Sequence, residues 1–528
     1  MKKIKLLLIN AMDPQFLSSL DSPLHLASLA SYLIKNNILL RKNIKIACSD
    51  YDNILSIIKK FKPNIIGISV LTPFYPYSTK LAIKIKKESN APIIIGGPHI
   101  SGYPQGLKWP FDIGVIGEGE ITLAELIKKS QKSNKKLNKS ILKSIKGLVF
   151  INKNKHIITT SRPLMNIKNI APIDYSLLPK ERIIHYLNIV HNNKPIIVKA
   201  ISIYTARGCP YNCSFCAYQV IWGKKKRLRF FSPKTITKNV IKLKNIYNIN
   251  AITVLDDTFG VTKKRLKKLI KEFQKTGLLN SIYFNTVMIR ANLVDNEFAI
   301  LLKKMGISSV FLGIESGSQK ILNYLKNSSL KVYQIKNAVK IFQKYNIKVI
   351  GSFMLFSPYE KKSDLQKTLS LAKWFAKQKN ALKLSYGITT PFPGTKLWNL
   401  ALKEKIISPP NINWKKFTIT NNKFFQPFFS TNLKISQQKD IWSKFRKLSI
   451  SIKKRFNNNS KWKTINKLTN NKNRELYKNY IAWIMIEKKL NHLIKNPRKK
   501  IINIINNPKK IIYFIENLFF FFKKQFKN

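Results

Sequence analysis

The stretch TARGCPYNCSFCAY, Thr205 to Tyr218, carries three of the chain's four cysteines, at Cys209, Cys213 and Cys216. The spacing is three residues, then two. Structural zinc asks for four ligands, usually as two pairs, and neither a histidine nor a fourth cysteine stands nearby. A four-iron four-sulfur cluster held by three thiolates keeps one iron open for another ligand, so a missing fourth cysteine suits a catalytic cluster. The apolar run just before the cysteines, in AISIYTARG, reads as a strand, which places the cysteine loop at a strand's carboxyl end.

Working outward, strand and helix patterns alternate from Ile201 to about Leu400. INAITVLDD, IYFNTVMIR, SSVFLGIES, IKVIGSFMLF and LKLSYGITT add five strands to the first, with helical segments between them. Such repeats predict a full or partial TIM-like barrel over 196–405, with its active site on the loops that leave the strands. The amino-terminal part alternates in the same way. IKLLLIN, IKIACSD, IIGISVL, APIIIGG and IGVIGEGE read as buried parallel strands, and Ser22-Pro23 as a helix start. This predicts a doubly wound, Rossmann-like α/β domain over 1–135, with its ligand outside the strands' carboxyl ends, where Gly96, Gly97, Gly117 and Gly119 fall. Residues 136–195 read as a linker with a small hairpin at GLVFINKNKHIITT. Residues 406–528 turn basic, aromatic and helical, ending in KKIIYFIENLFFFFKKQFKN, which is suited to lying on a membrane surface or to covering the barrel.

With 528 residues and 44% hydrophobic composition the chain can bury two or three cores. Sparse cysteine excludes a disulfide framework and suits a reducing compartment, so a cytoplasmic location is expected. The start, MKKIKLLLINAMDPQ, fits a first strand better than a leader, and no run is long enough to span a bilayer. A net charge of +72 invites nucleic-acid binding. However, lysine is abundant from end to end and forms no single patch, so the charge does not favour that reading.

The motif Cys209-x3-Cys213-x2-Cys216, with Phe215 before the last cysteine, resembles the signature of the radical S-adenosylmethionine superfamily. The resemblance implies a 4Fe-4S cluster on the three cysteines, with S-adenosylmethionine bound through its amino and carboxylate groups on the open iron. Reductive cleavage then yields a 5′-deoxyadenosyl radical. VLDDTFG resembles the segment that holds the cofactor's amino group and nominates Asp256 and Asp257. FLGIESGS resembles the motif at the ribose and methionine moieties and nominates Glu315 and, for close backbone approach, Gly317. Arg290, in VMIRANL, is the candidate for the cofactor's carboxylate. GSFMLFSPYE resembles the adenine-packing motif, with Phe356 in place of the usual glycine. TPFPGT, Thr390 to Thr395, resembles a loop common in this branch.

The amino-terminal region resembles the cobalamin-binding domain that precedes the barrel in one large class of these enzymes. Ser69-Val70-Leu71 and Gly96-Gly97 match its fingerprints, nominating Ser69, Leu71, Gly96 and Gly97 at a cobalamin site. GGPH and IGEGEITLAEL also look like this class. Many cobalamin domains place a histidine beneath the metal from Asp-x-His-x-x-Gly. Here Pro23 and Ser28 stand where that motif has its aspartate and glycine around His25, so cobalamin is expected without a histidine ligand.

The resemblance implies methylation of an unactivated carbon, with cobalamin carrying the methyl group and the protein supplying position and dryness. It also implies a small-molecule or lipid-like substrate and an electron donor such as flavodoxin or ferredoxin. A non-methylating cyclase, hydroxylase or lipid-tailoring enzyme is the alternative. A methylthiolating RNA enzyme would need three further amino-terminal cysteines, and only Cys48 is there. A nucleic-acid binder with a structural cluster is the reading from another class.

Overall fold

Alternate aliphatic residues of the first strand serve two cores. Leu6 and Leu8 pack on one face of the sheet, Leu7 and Ile9 on the other. A strand buried on both faces belongs in the middle of a parallel sheet. The computed structural model describes residues 4–13, 22–50, 52–133, 137–191, 194–223, 228–417, 425–429 and 433–457.

Seven strands form the first sheet: β1 (Leu6–Asn10), β2 (Ile44–Cys48), β3 (Ile65–Ser69), β4 (Ile93–Gly96), β5 (Ile113–Val115), β6 (Leu148–Asn152) and β7 (Lys155–Ile158). Their order is β2-β1-β3-β4-β5-β6-β7, with the first five parallel. This is the doubly wound order whose ligand crevice opens between β1 and β3, where Asn10 and Ser69 are register partners. The hairpin assigned to the linker belongs to this sheet instead. β6 pairs antiparallel with β5, because Leu148, Val149 and Phe150 are fully buried and need a core to enter. Ser22 does not cap the following helix, Leu24–Lys35; its hydroxyl donates to the Arg182 carbonyl oxygen.

The barrel strands are β8 (Ile184–His191), β9 (Lys194–Ile203), β12 (Ala251–Val254), β13 (Tyr283–Phe284), β14 (Val287–Ile289), β15 (Ser309–Glu315), β16 (Lys348–Leu355) and β17 (Ala381–Ile388). Between β9 and β12 lie the two-residue strands β10 (Ala206–Arg207) and β11 (Arg229–Phe230). β13 and β14 are two halves of one expected strand, and a Phe284–Ile307 bridge joins the four-stranded sheets β8-β9-β12-β13 and β14-β15-β16-β17. All six expected strands are present and parallel, and β8 adds an antiparallel edge. The result is a partial barrel. Helix Ile435–Asn457 packs beside β17, with Trp442 edge-on to Tyr386 at 4.7 Å and Ser449 donating to the Leu384 carbonyl at 2.8 Å. No helix of the described residues is long and apolar enough to cross a membrane. The final aromatic run lies outside the described residues.

Candidate active site

The cysteine loop rises from the end of β9 and is closed at its base by the antiparallel β10–β11 pair, with Arg207 opposite Arg229. Backbone bonds fix its middle: Ser214 N donates to Leu325 O at 2.9 Å and Leu397 N to Ser214 O at 3.2 Å. Gln219 Nε2 holds the Cys213 carbonyl at 2.6 Å. All three cysteines are free and half-buried. Burial pushes Cys209 up to about 11 and Cys216 up to about 12, and each thiol also feels Cys213 and Asp257. Among the described residues no three His, Cys, Asp or Glu side chains are already drawn together to hold a metal ion. The donor chemistry nevertheless fits a thiophilic cluster, since three soft sulfurs lie close enough to influence one another in one loop. Their protons would leave as iron binds.

The nominated partners divide by geometry. Asp256 accepts from Thr205 N at 2.7 Å, Ala206 N at 2.9 Å and the Thr205 hydroxyl, bracing the turn before the cysteines. Asp257 faces the loop, accepting from Trp222 Nε1 at 2.7 Å, and burial pushes it up to about 6. Arg290 is buried, with Nη1 3.3 Å from Cys213 Sγ and its guanidinium 4.0 Å from the Tyr211 ring centre. Glu315 holds a left-handed backbone at φ 59° and pairs with Lys326 at 2.7 Å, and Lys326 lies 5.3 Å from the Phe215 ring. Gly317 makes its close approach to helix Lys362–Lys377: a Cβ there would meet the Lys367 carbonyl at 2.3 Å. Its smallness serves packing between elements.

On the other domain, Ser69 ends β3, Leu71 is 41% exposed, and a Cβ on Gly96 would meet nothing within 4 Å. Together they leave an open shelf at the carboxyl ends of the strands. Gly97, at φ 99°, starts the short helix Pro98–Gly102. His99 on that helix is buried, stacked on Tyr75 at 4.0 Å and met edge-on by Trp414 at 4.7 Å, so the region after 406 returns to the first domain. His25 is exposed on the first turn of helix Leu24–Lys35, within the field of the Glu120 carboxylate.

The two halves of the site touch. A Cβ on Gly394, in TPFPGT, would stand 2.5 Å from Val220 Cγ1 and 2.9 Å from Gly102 Cα. Val220 belongs to the short helix Gln219–Trp222 that follows Cys216, so the cluster loop, the shelf's helix and the barrel's last loop meet at one point. Deeper in, Arg207 and Arg229 both pair with Glu118.

The Radical SAM superfamily matches residues 203–372, and the B12 binding domain matches residues 22–127. The chain is 32% identical over 374 residues to the uncharacterized methyltransferase PH0819 of Pyrococcus horikoshii, covering 70% of this chain and 75% of that protein. The chain belongs to the cobalamin-binding radical S-adenosylmethionine enzymes. The cofactors of that family are the 4Fe-4S cluster, S-adenosylmethionine and cobalamin, and its methyltransferases and cyclases are related branches. One such relative is the anaerobic magnesium-protoporphyrin IX monomethyl ester cyclase of Cereibacter sphaeroides. It is 25% identical over 363 residues, covering 67% of this chain and 56% of the cyclase. The fold matches the radical methyltransferase TsrM of Kitasatospora setae, solved with cobalamin and a [4Fe-4S] cluster bound. The TM-score is 0.60 at 16% identity, covering 82% of this chain and 80% of TsrM.

Within this cobalamin-binding radical enzyme the sequence reading missed Lys326, Arg207, Arg229, Glu118 and Glu120. Three of them, Arg207, Glu118 and Glu120, had a signal. Arg207 lies inside the cysteine stretch, and both glutamates lie in IGEGE, a charged segment at the end of a buried strand.

Proposed function

We propose that this enzyme methylates an unactivated carbon of a small or lipid-like molecule in the cytoplasm. Cys209, Cys213 and Cys216 hold its cluster, and Ser69, Leu71, Gly96 and Gly97 line its cobalamin site. The observation that carries this reading is the contact between the helix after Cys216 and the helix after Gly97, which brings the two cofactor-holding loops to one junction. When bound, the cluster and S-adenosylmethionine supply radical chemistry and cobalamin supplies the methyl group. The chain's own residues position and neutralise. Asp257 is the partner for the ammonium of S-adenosylmethionine, which would keep this raised carboxyl ionised. Arg290 offers its positive charge beside Cys213, and the Glu315–Lys326 pair, internally neutral, fixes the wall behind Phe215. A small acidic electron carrier such as flavodoxin or ferredoxin suits a chain of net charge +72.

The test is anaerobic incubation of the reconstituted protein with S-adenosylmethionine, cobalamin, a reductant and cell extract, followed by mass analysis. Methyl transfer yields S-adenosylhomocysteine, 5′-deoxyadenosine and a product one methylene heavier. 5′-Deoxyadenosine without S-adenosylhomocysteine would replace this reading with a cyclase-type one. Neither product, or full activity in the Cys209→Ala/Cys213→Ala/Cys216→Ala variant, would end it.

A further inference from the structure

Two arginines at the two ends of the cysteine segment converge on one carboxylate of the cobalamin-binding domain. Glu118 accepts from Arg207 Nη1 at 3.1 Å, from Arg229 Nη1 at 2.9 Å and Nη2 at 2.8 Å, and from Met165 N at 2.8 Å. Glu120 pairs with Arg207 Nη2 at 2.7 Å and accepts from the Ser28 hydroxyl at 2.8 Å. Arg207 Nη2 also donates to that hydroxyl at 2.6 Å, and Arg229 Nη1 donates to the Met165 carbonyl at 2.5 Å. The side chains of Arg207, Glu118 and Glu120 are 9%, 8% and 6% exposed, and that of Arg229 is 13%.

Two cations and two anions leave the cluster neutral. Burial opposes ionisation of Glu120, but the Arg207 guanidinium outweighs it and holds the carboxyl below its usual range. A planar guanidinium fork fixes direction as well as distance, which a lysine cannot do. Domains joined by exposed polar contacts are free to shift against each other. Here any shift would separate buried charges, a costly arrangement in a poorly solvated place. Because Arg207 and Arg229 face each other across β10–β11, they grip both ends of the loop that carries Cys209, Cys213 and Cys216.

We infer that Arg207, Arg229, Glu118 and Glu120 are positioning residues that hold the cluster-bearing loop at one fixed separation from the cobalamin-binding domain. The inference rests on the cofactor placement proposed above. Its function would be to keep the radical-forming and methyl-carrying centres in register while substrate enters and product leaves.

The test is electron paramagnetic resonance on the full chain loaded with both cofactors and reduced, so that the cluster and cob(II)alamin each carry a spin. The native protein should show one well-defined magnetic coupling between them. In Glu118→Gln/Arg229→Gln, which removes one charge of each sign, the coupling should weaken and spread while iron and cobalamin contents hold. Arg229→Lys, which keeps the charge and loses the fork, should show the same change in smaller degree. Identical coupling in the native protein and both variants would overturn the inference, even if the variants melt earlier, since mere structural support moves only the melt. Native protein that fails to take up the cluster or cobalamin would instead sink the cofactor placement beneath it.

Discussion

Arg290 Nη1 lies 3.3 Å from Cys213 Sγ, the only one of the three loop cysteines with a hydrogen-bonded cation among the described residues. A positive charge beside a sulfur ligand favours the more negative, reduced state of a cluster. Arg290→Met should therefore lower the cluster's reduction potential by something on the order of tens of millivolts. A potentiometric titration followed by paramagnetic resonance measures it. Equal potentials would show that the guanidinium serves its protein partners, Tyr211, Ser329 and the Lys326 carbonyl, and not the cluster.

Gly394 and Gly102 stand back to back between the domains. Gly394 holds φ 75°, and an added methyl would meet Val220 at 2.5 Å, while one on Gly102 would meet the Pro393 carbonyl at 2.3 Å. Gly394→Ala should cost about 1–3 kcal/mol from backbone strain and overlap, and Gly102→Ala a similar amount from overlap alone. Because Val220 follows the cysteine loop, Gly394→Ala should also lower iron retention more than Gly102→Ala does. Melting curves and iron analysis check this; unchanged melting in both would refute the close contact.

Glu360 is buried beyond β16, with Oε2 accepting from Ser357 N at 2.8 Å and Oε1 without a partner. Burial pushes its pKa up to about 8. A folded carboxyl raised above its unfolded value near 4.5 keeps a proton that the unfolded chain releases, so its cost to stability grows as pH climbs from about 4.5 to 8. Glu360→Gln should match the native protein near pH 5 and become relatively more stable toward pH 9. Denaturant titrations at several pH values test this, and parallel curves would be inconsistent with it.

Glu120, the carboxylate nearest in effect to His25, is already committed to Arg207 and Ser28, so it cannot orient the imidazole as a ligand-supporting partner would. Cob(II)alamin bound to this protein should show no axial nitrogen splitting. Triplet splitting that vanishes in His25→Ala would reverse this expectation.

The strands were legible because their aliphatic runs end at turn residues, and the cysteine loop because its spacing has few chemical uses. Local pattern could not tell that Leu148, Val149 and Phe150 add a strand to the first sheet, since a hairpin reads the same whether it stands alone or extends a neighbour. Nor could it tell which carboxylate of Asp256-Asp257 braces the turn before the cysteines. That depends on Thr205 and Ala206 standing across a strand gap, about fifty positions earlier in the chain. A small residue such as Gly317 announces close approach without saying to what, so its tight fit against Lys367 was not legible either. The four-charge set joining the domains is the plainest such case, since its members are scattered from 118 to 229 and only the fold assembles them.

Helix Ile435–Asn457 lies along the last strand of an unclosed barrel, and β17 otherwise ends the row of described strands with no neighbour on its far side. A strand edge left bare is a template on which another molecule's backbone can add. The helix is thus a guard against self-association as much as a packing element. A chain shortened to end before Ile435 would be expected to stick to its own copies long before it lost the cysteine loop.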